Sequence, residues 1–153
     1  MSVPAEVSLA EIESQLKTAA DFSAAVGIEM DASMLTVNNL IFYVRFLNKR
    51  KEPFYTEFNC KDFPLYPPTI EFVDAARKQR GLASLYPSGF HSTPCICMRY
   101  NRKAYNEMGG PHGDWRLIDW QLATPNGGAL DSLAMIISDL HAKISSSEGR
   151  LGR

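Results

Sequence analysis

Two neighbouring segments alternate between apolar and polar side chains, and this alternation constrains the fold more than any other feature of the chain. A period of two residues is typical of a β-strand that has one face in a core. The apolar faces are formed by Leu40, Phe42, Val44 and Phe46 in the first segment and by Phe54, Thr56, Phe58 and Cys60 in the second. The polar turn NKRKEP joins the two segments. The pattern therefore predicts an antiparallel hairpin.

The sequence after this hairpin predicts a third strand that is introduced by a proline-rich segment. Three of the six residues in FPLYPP, 63–68, are prolines and have no amide hydrogen to donate. Such a segment suits an extended edge or a loop rather than a central strand. TIEFV, 69–73, is the third strand of the meander.

Helical spacing at the N-terminus predicts a first helix. Ser8 and Glu11 match a capping box, in which both side chains satisfy amides that the start of a helix leaves unpaired. Gly27 is the expected end of the helix. The apolar positions that recur at helical spacing are Leu9, Ile12, Leu16 and Ala19 or Ala20.

A second apolar stripe near the C-terminus predicts the last helix. Its members are Leu130, Leu133, Ala134, Ile137, Leu140 and Ile144. The polar segment 145–153 after it is expected to be a flexible tail. Between Asp74 and Ala129 regular periodicity is lost, and a loop of that length inside a domain is usually functional.

Together these elements predict the fold class α+β, with the helices against one face of the sheet. The order is an N-terminal helix, an antiparallel β-meander of three to four strands, a long irregular segment and a C-terminal helix. A chain of 153 residues fits a single domain of ordinary size. We expect that domain to span 1–144.

Composition and charge exclude several classes of protein. A hydrophobic content of 45% and a charged content of 22% are typical of a soluble globular chain, and a formal charge of -1 disfavours a polyanionic partner such as nucleic acid. We expect no membrane segment and no secretory signal. Three cysteines, an odd number, indicate a reducing compartment, so the expected location is cytoplasmic.

With this order of elements, FPLYPPTIEF (63–72) followed by PCICM (94–98) resembles the ubiquitin-conjugating enzyme family. Tyr66, Pro67 and Pro68 match a shortened form of that family's segment before a strand. The chain departs from the family because no His-Pro-Asn triplet precedes the cysteines. The divergence is similar to that of bacterial relatives, which operate in conjugation systems that are often antiviral.

The resemblance implies a UBC-like fold and a carrier activity. A ubiquitin-like modifier would be received from an activating enzyme as a cysteine thioester and passed to a target protein. Cys97, between Ile96 and Met98, best matches the context of the family's catalytic cysteine. Cys95 matches less well, and both sulfurs could instead pack under the loop as small hydrophobic groups. Cys60 is expected in the core.

Three further residues could assist at Cys97. His91 and His112 could polarise an attacking group or lower the pKa of the thiol if the loop folds back. Asn101 could donate an amide to the tetrahedral oxyanion, in place of the missing asparagine. Asp114 could orient a lysine or cap a turn.

Rival interpretations remain open. Cys95 and Cys97 with a histidine, and with Cys60, would supply enough ligands for zinc, although the usual spacing of paired cysteines is absent. A non-catalytic binding module of the same fold is the other alternative. A papain-like hydrolase does not suit strands that precede the cysteine. We expect no resident cofactor or metal, and the sequence leaves the modifier and the target open.

Overall fold

The computed structural model describes residues 2–120 and 132–152 and has an α+β architecture. In this part of the chain an N-terminal helix precedes four antiparallel strands, a long segment of short turns and a C-terminal helix. The elements are α1 (Ala5–Val26), β1 (Glu29–Asp31), β2 (Ile41–Leu47), β3 (Pro53–Asn59), β4 (Thr69–Val73) and α2 (Leu133–Ser145).

The strands lie in the order β1-β2-β3-β4, so each pairs with its neighbour in sequence. The predicted hairpin is confirmed: β2 and β3 are antiparallel, with Val44 opposite Thr56 and Phe42 opposite Phe58. The predicted apolar face is buried, and the rings of Phe42 and Phe58 stack with centroids 4.7 Å apart. The third strand is confirmed as β4. The additional strand β1 is only three residues long, too short to show a period of two.

The prediction that α1 begins at a capping box is wrong. The helix begins at Ala5 after Pro4, and no side chain caps it. A proline is tolerated there because the first amides of a helix have no intrahelical partner. Ser8 is therefore inside the helix, buried, and its hydroxyl donates a 2.7 Å hydrogen bond to the Phe63 carbonyl. The predicted end is confirmed, since Gly27 is left-handed at φ 76°.

Both helices share one apolar cluster with the inner face of the sheet. The N-terminus of α2 is capped by Ser132, whose hydroxyl accepts from the Met135 amide. Gln15 of α1 accepts from the Leu133 amide at 2.7 Å, which ties the start of α2 to the first helix. The α2 side chains that are buried are Leu133, Ile136, Ile137, Leu140 and Ile144. The predicted stripe is confirmed for its described members except the half-buried Ala134, and Leu130 lies outside the described residues.

The opposite face of the sheet carries an ionic network. Glu57 and Glu71 lie directly opposite each other on β3 and β4, and both are buried. Arg80 returns from the following loop and contacts Glu57 at 2.6 Å and Glu71 at 3.0 Å. Lys103 also pairs with Glu71. The two cations offset the repulsion that like charges opposite each other would cause.

The proline-rich segment packs closely under the irregular region. Pro67 and Pro68 are buried, and the Pro68 carbonyl accepts from the Arg102 amide at 2.9 Å. Trp120 is buried and donates from Nε1 to the Leu65 carbonyl at 2.9 Å. Trp120 thereby anchors the end of the irregular region to the proline-rich segment.

The segment after α2 differs from the flexible tail that the sequence predicts. The Leu151 amide donates to the Tyr86 carbonyl, and the Gly149 carbonyl accepts from the Ser88 amide, both at 2.9 Å. The Arg150 guanidinium lies 4.4 Å from the ring centroid of Phe54. These contacts pair backbone groups of Gly149 and Leu151 with the loop, so the polar composition of the segment does not keep this part of it in solvent. Within the described part of the chain, no helix combines the length and the apolar character needed to cross a membrane.

Candidate functional site

The loop that carries Cys95 and Cys97 is anchored at both ends by buried aromatic rings. At its start, Phe90 and Tyr86 pack edge-on against Phe72 of β4, with centroids 5.4 Å and 4.8 Å away. After the cysteines, the buried Tyr100 donates to Asp139 of α2 at 2.6 Å. The loop is thereby fixed between the sheet and the C-terminal helix.

The two cysteines of this loop have different environments. Cys95 is 5% exposed, whereas Cys97 is half-buried. Both lie along an open cavity of about 650 Å³ between the loop and the end of α2. Cys97 is therefore the more accessible of the two residues.

The chemistry of Cys95 is that of a buried thiol. Burial, with a hydrogen bond to the Cys97 side chain, raises the pKa of Cys95 to about 12. The positive charge of Lys103 opposes this shift only in part. Cys95 therefore stays protonated near neutral pH, and a protonated thiol is a poor nucleophile.

Cys60 lies in the core, as expected. Its side chain is completely buried beneath the sheet, and burial raises the pKa of its thiol far above the ordinary value. Of the three cysteines, Cys97 is the one that is not buried.

Residues of α2 and of the segment after it also line the cavity beside Cys97. The sequence interpretation missed these residues. Lys143 lies at the edge of the cavity and pairs with Asp139 at 2.8 Å. Ser147 and Glu148 also line it, and the Ser147 hydroxyl lies 2.8 Å from that of Ser88. The polar face of α2 was the available signal, but nothing in the sequence indicated that the tail would fold back onto the loop.

His91 is at this site and His112 is not among the residues that line the cavity. His91 is exposed, and its Nδ1 lies 3.0 Å from the Thr93 carbonyl oxygen and 3.1 Å from the Thr93 amide nitrogen. His112 stacks on Trp115 at 3.7 Å, with its backbone bonded to the Ala104 carbonyl. The structure thus brings one of the two predicted histidines to Cys97.

Asn101 does not suit the predicted role as an oxyanion donor, because it is completely buried and its amide is already bonded. Its Oδ1 accepts from the Ile70 amide at 2.8 Å and from the Lys103 amide at 3.2 Å. Its Nδ2 donates to the Ile96 carbonyl at 2.9 Å. Asn101 instead ties the backbone between the two cysteines to the start of β4. Asp114 is exposed, and no contact of its side chain settles its role.

The zinc alternative finds no support in the described residues, among which no cluster of three or more His, Cys, Asp or Glu side chains could hold a metal ion. All the ligands that this alternative requires lie within those residues.

Comparison with known proteins adds no assignment: no family model, no curated protein and no solved structure matches this chain. The interpretation of the site therefore depends on its own geometry and chemistry.

Proposed function

We propose that this protein is a ubiquitin-conjugating-enzyme-like carrier that holds the C-terminal carboxyl group of a ubiquitin-like protein as a thioester on Cys97. The observation that carries the proposal is the contrast among the cysteines. Cys97 is half-buried beside an open cavity, whereas Cys60 and Cys95 are buried. A carrier sulfur has to be reached by two other proteins in turn, so accessibility is its first requirement.

The order of elements supports a UBC-like fold as part of this proposal. An N-terminal helix, a four-stranded antiparallel meander, an irregular segment with the cysteine and a C-terminal helix follow one another as the resemblance implies. The segment 63–68 precedes β4 and packs against the irregular region through the bond between Pro68 and Arg102. The partners in the proposal are the modifier, its activating enzyme and a target protein, in a conjugation system of the bacterial antiviral kind.

The proposed chemistry consists of two acyl transfers. The Cys97 thiolate attacks the activated carbonyl carbon of the modifier. The group through which the activating enzyme held that carbonyl then departs with the electrons of the broken bond. An amine of the target then attacks the thioester carbonyl, loses a proton, and expels the Cys97 thiolate. ATP is consumed by the activating enzyme and not by this protein.

His91 is the histidine that can serve the second transfer. When Nδ1 carries the proton, it donates to the Thr93 carbonyl instead of accepting from the Thr93 amide, and Nε2 is left as the acceptor for a proton from the attacking amine. Its exposed position beside the cavity allows this contact without a rearrangement of the core.

The test is an adduct assay with the activating enzyme and the modifier encoded by neighbouring genes, together with ATP. We expect an adduct that a thiol reductant removes. It should be lost in Cys97→Ala and kept in Cys95→Ala and Cys60→Ala, with folding of each variant checked by circular dichroism.

Two outcomes would contradict the proposal. An adduct that persists in Cys97→Ala and disappears in Cys95→Ala would move the carrier role to the other sulfur. No adduct with any form of the folded protein would favour the non-catalytic binding module.

A further inference from the structure

We infer that Cys95 and Cys97 form a peroxide-sensitive thiol pair, in which Cys97 is oxidised first and Cys95 then closes a disulfide with it. The inference concerns a covalent modification of the chain, and it does not depend on the proposed carrier activity. It accounts for a second, buried sulfur that the carrier chemistry leaves unused.

The spacing of the two residues permits the bond. Cα atoms two residues apart are at most about 7 Å from each other in an extended chain. Disulfides ordinarily join Cα atoms roughly 4.4–6.8 Å apart. The chain is bent at Cys97, where the Met98 amide donates to the Ile96 carbonyl at 2.9 Å. Both side chains line the same cavity.

The backbone around the pair is held in a way that keeps the sulfurs together. Asn101 donates to the carbonyl of Ile96, the residue between the two cysteines. On the other side, Cys95 forms a β-bridge with His91 across a tight turn. Because the backbone at Cys95 and at Ile96 is held in place, the two thiols meet far more often than two thiols on a free chain would.

The different burial of the two sulfurs sets the order of the steps. Cys97 faces the cavity, which is open enough to admit a molecule as small as hydrogen peroxide. Cys95 is 5% exposed, and its raised pKa of about 12 keeps it protonated. Peroxide reacts with thiolates that it can reach, so Cys97 is oxidised first and Cys95 acts as the resolving thiol.

The steps balance with one molecule of peroxide. The Cys97 thiolate attacks the O–O bond and becomes a sulfenic acid, and the released hydroxide takes a proton to form water. The Cys95 sulfur then attacks the adjacent Cys97 sulfur while its proton passes to the departing hydroxide, so that no free Cys95 thiolate is needed. An S–S bond forms, the S–O bond breaks, and water leaves. The two thiols supply two electrons, and the peroxide is reduced to two waters.

Closing the disulfide protects Cys97 from irreversible oxidation, because sulfinic acid forms only from a sulfenic acid that has not been resolved. If Cys97 is the carrier of the proposed function, the same bond also removes the sulfur that would accept the modifier. A thiol reductant restores both.

Peptide mapping of the full-length protein tests the inference directly. The native protein is treated with hydrogen peroxide, its remaining thiols are blocked with iodoacetamide under denaturing conditions, and it is digested with trypsin. Cleavage after Arg80 and Arg99 gives a peptide, 81–99, that contains Cys95 and Cys97, whereas Cys60 lies in 52–61. We expect peptide 81–99 to lose two hydrogen atoms, to escape alkylation and to recover both thiols with dithiothreitol.

Two variants provide matched controls. In Cys95→Ala, Cys97 should accumulate as sulfenic acid, trapped by a 1,3-dione probe, and then as sulfinic acid. In Cys97→Ala, Cys95 should remain a thiol. The peptide that contains Cys60 should stay alkylated throughout.

The inference is overturned if wild-type peptide 81–99 forms sulfinic acid as fast as Cys95→Ala does, or if it remains fully alkylated after peroxide treatment. The wild-type protein alone decides the second point, so a variant that fails to fold does not affect it. The adduct assay uses fully reduced protein, and its result is therefore independent of this one.

Discussion

The sheet with its two helices and the loop from 86 to 105 are held in place by different means. In the first region, apolar side chains from every element share one core, and the backbone is paired along the strands. In the loop, aromatic rings at both ends join the same core, and in addition a buried polar side chain, that of Asn101, bonds to the backbone of Ile70 and Ile96. The comparison indicates that the first region determines stability, whereas single hydrogen bonds determine the geometry at Cys97.

The largest effect is expected from truncating the core of the sheet. Phe58→Ala removes a completely buried ring that stacks on Phe42. We expect the free energy of unfolding in urea to fall by about 3–5 kcal/mol, because the transfer energy of the ring is lost and a cavity is left behind. As a control, Met34→Ala at a position 61% exposed should change it by less than about 0.5 kcal/mol. Similar losses in the two variants would contradict the assignment of the core.

Asn101→Ala should have a smaller effect on stability and a larger one on the site. It leaves the Ile70 amide and the Ile96 carbonyl without their side-chain partner, at a cost of about 1–3 kcal/mol. Because the backbone between the cysteines is released, native Cys95 should become accessible to alkylation. Asn106→Ala, at an exposed asparagine five residues away, is the matched control and should leave Cys95 protected. Unchanged protection in Asn101→Ala would refute the positioning role of Asn101.

Alkaline pH should weaken the protein through groups at the loop. Burial raises the pKa of Cys95 and that of Tyr105 each to about 12, from ordinary values near 9 and 10. The unfolded chain loses these protons at a lower pH than the folded chain does. The contribution of these two groups to the free energy of unfolding is therefore fully present below about pH 9, and it is lost as the pH rises toward about 12. Urea unfolding across this range measures the effect.

The matched control for pH is the double variant Cys95→Ala with Tyr105→Phe, which removes both ionisable groups. Its decline in stability with pH should be shallower than that of the wild-type protein. Equal slopes would show that other groups govern the alkaline loss.

The smallest effect is expected from Tyr100→Phe, which removes the hydroxyl that donates to Asp139. Asp139 keeps its contact with Lys143, so the loss of stability should be about 0.5–1.5 kcal/mol. Alkylation of native Cys97 should become faster, because the loop is then less firmly held to α2. A rate equal to that of the wild-type protein would show that this bond does not position the loop.

The strands and helices whose buried apolar residues recur at regular spacing could be predicted from the sequence. The alternation from Leu40 to Leu47 predicted β2 and its buried face because a side chain's direction in a strand follows from its position alone. The prediction of a cap at Ser8 was wrong because the hydroxyl bonds to Phe63, a contact 55 residues away in sequence. Local motifs cannot report such partners.

The site was predictable only in part, for the same reason. The choice of Cys97 over Cys95 followed from the neighbouring residues, and the deeper burial of Cys95 is consistent with it. The burial of Asn101 and the separation of His112 from that cavity depend on how the irregular segment folds back, which has no periodic signal. Lys143 lies on the polar face of α2, and Ser147 reaches the site through a tail whose polar composition pointed to solvent.

The central claim is that the loop exposes the sulfur of Cys97 while it seals that of Cys95. Native-state alkylation with a limiting amount of iodoacetamide, followed by peptide mapping, measures this most directly. We predict that Cys97 is labelled well before Cys95 and Cys60, and that all three react together once the chain is unfolded in urea. Labelling of Cys95 at the same rate as Cys97 in the folded protein would contradict the account.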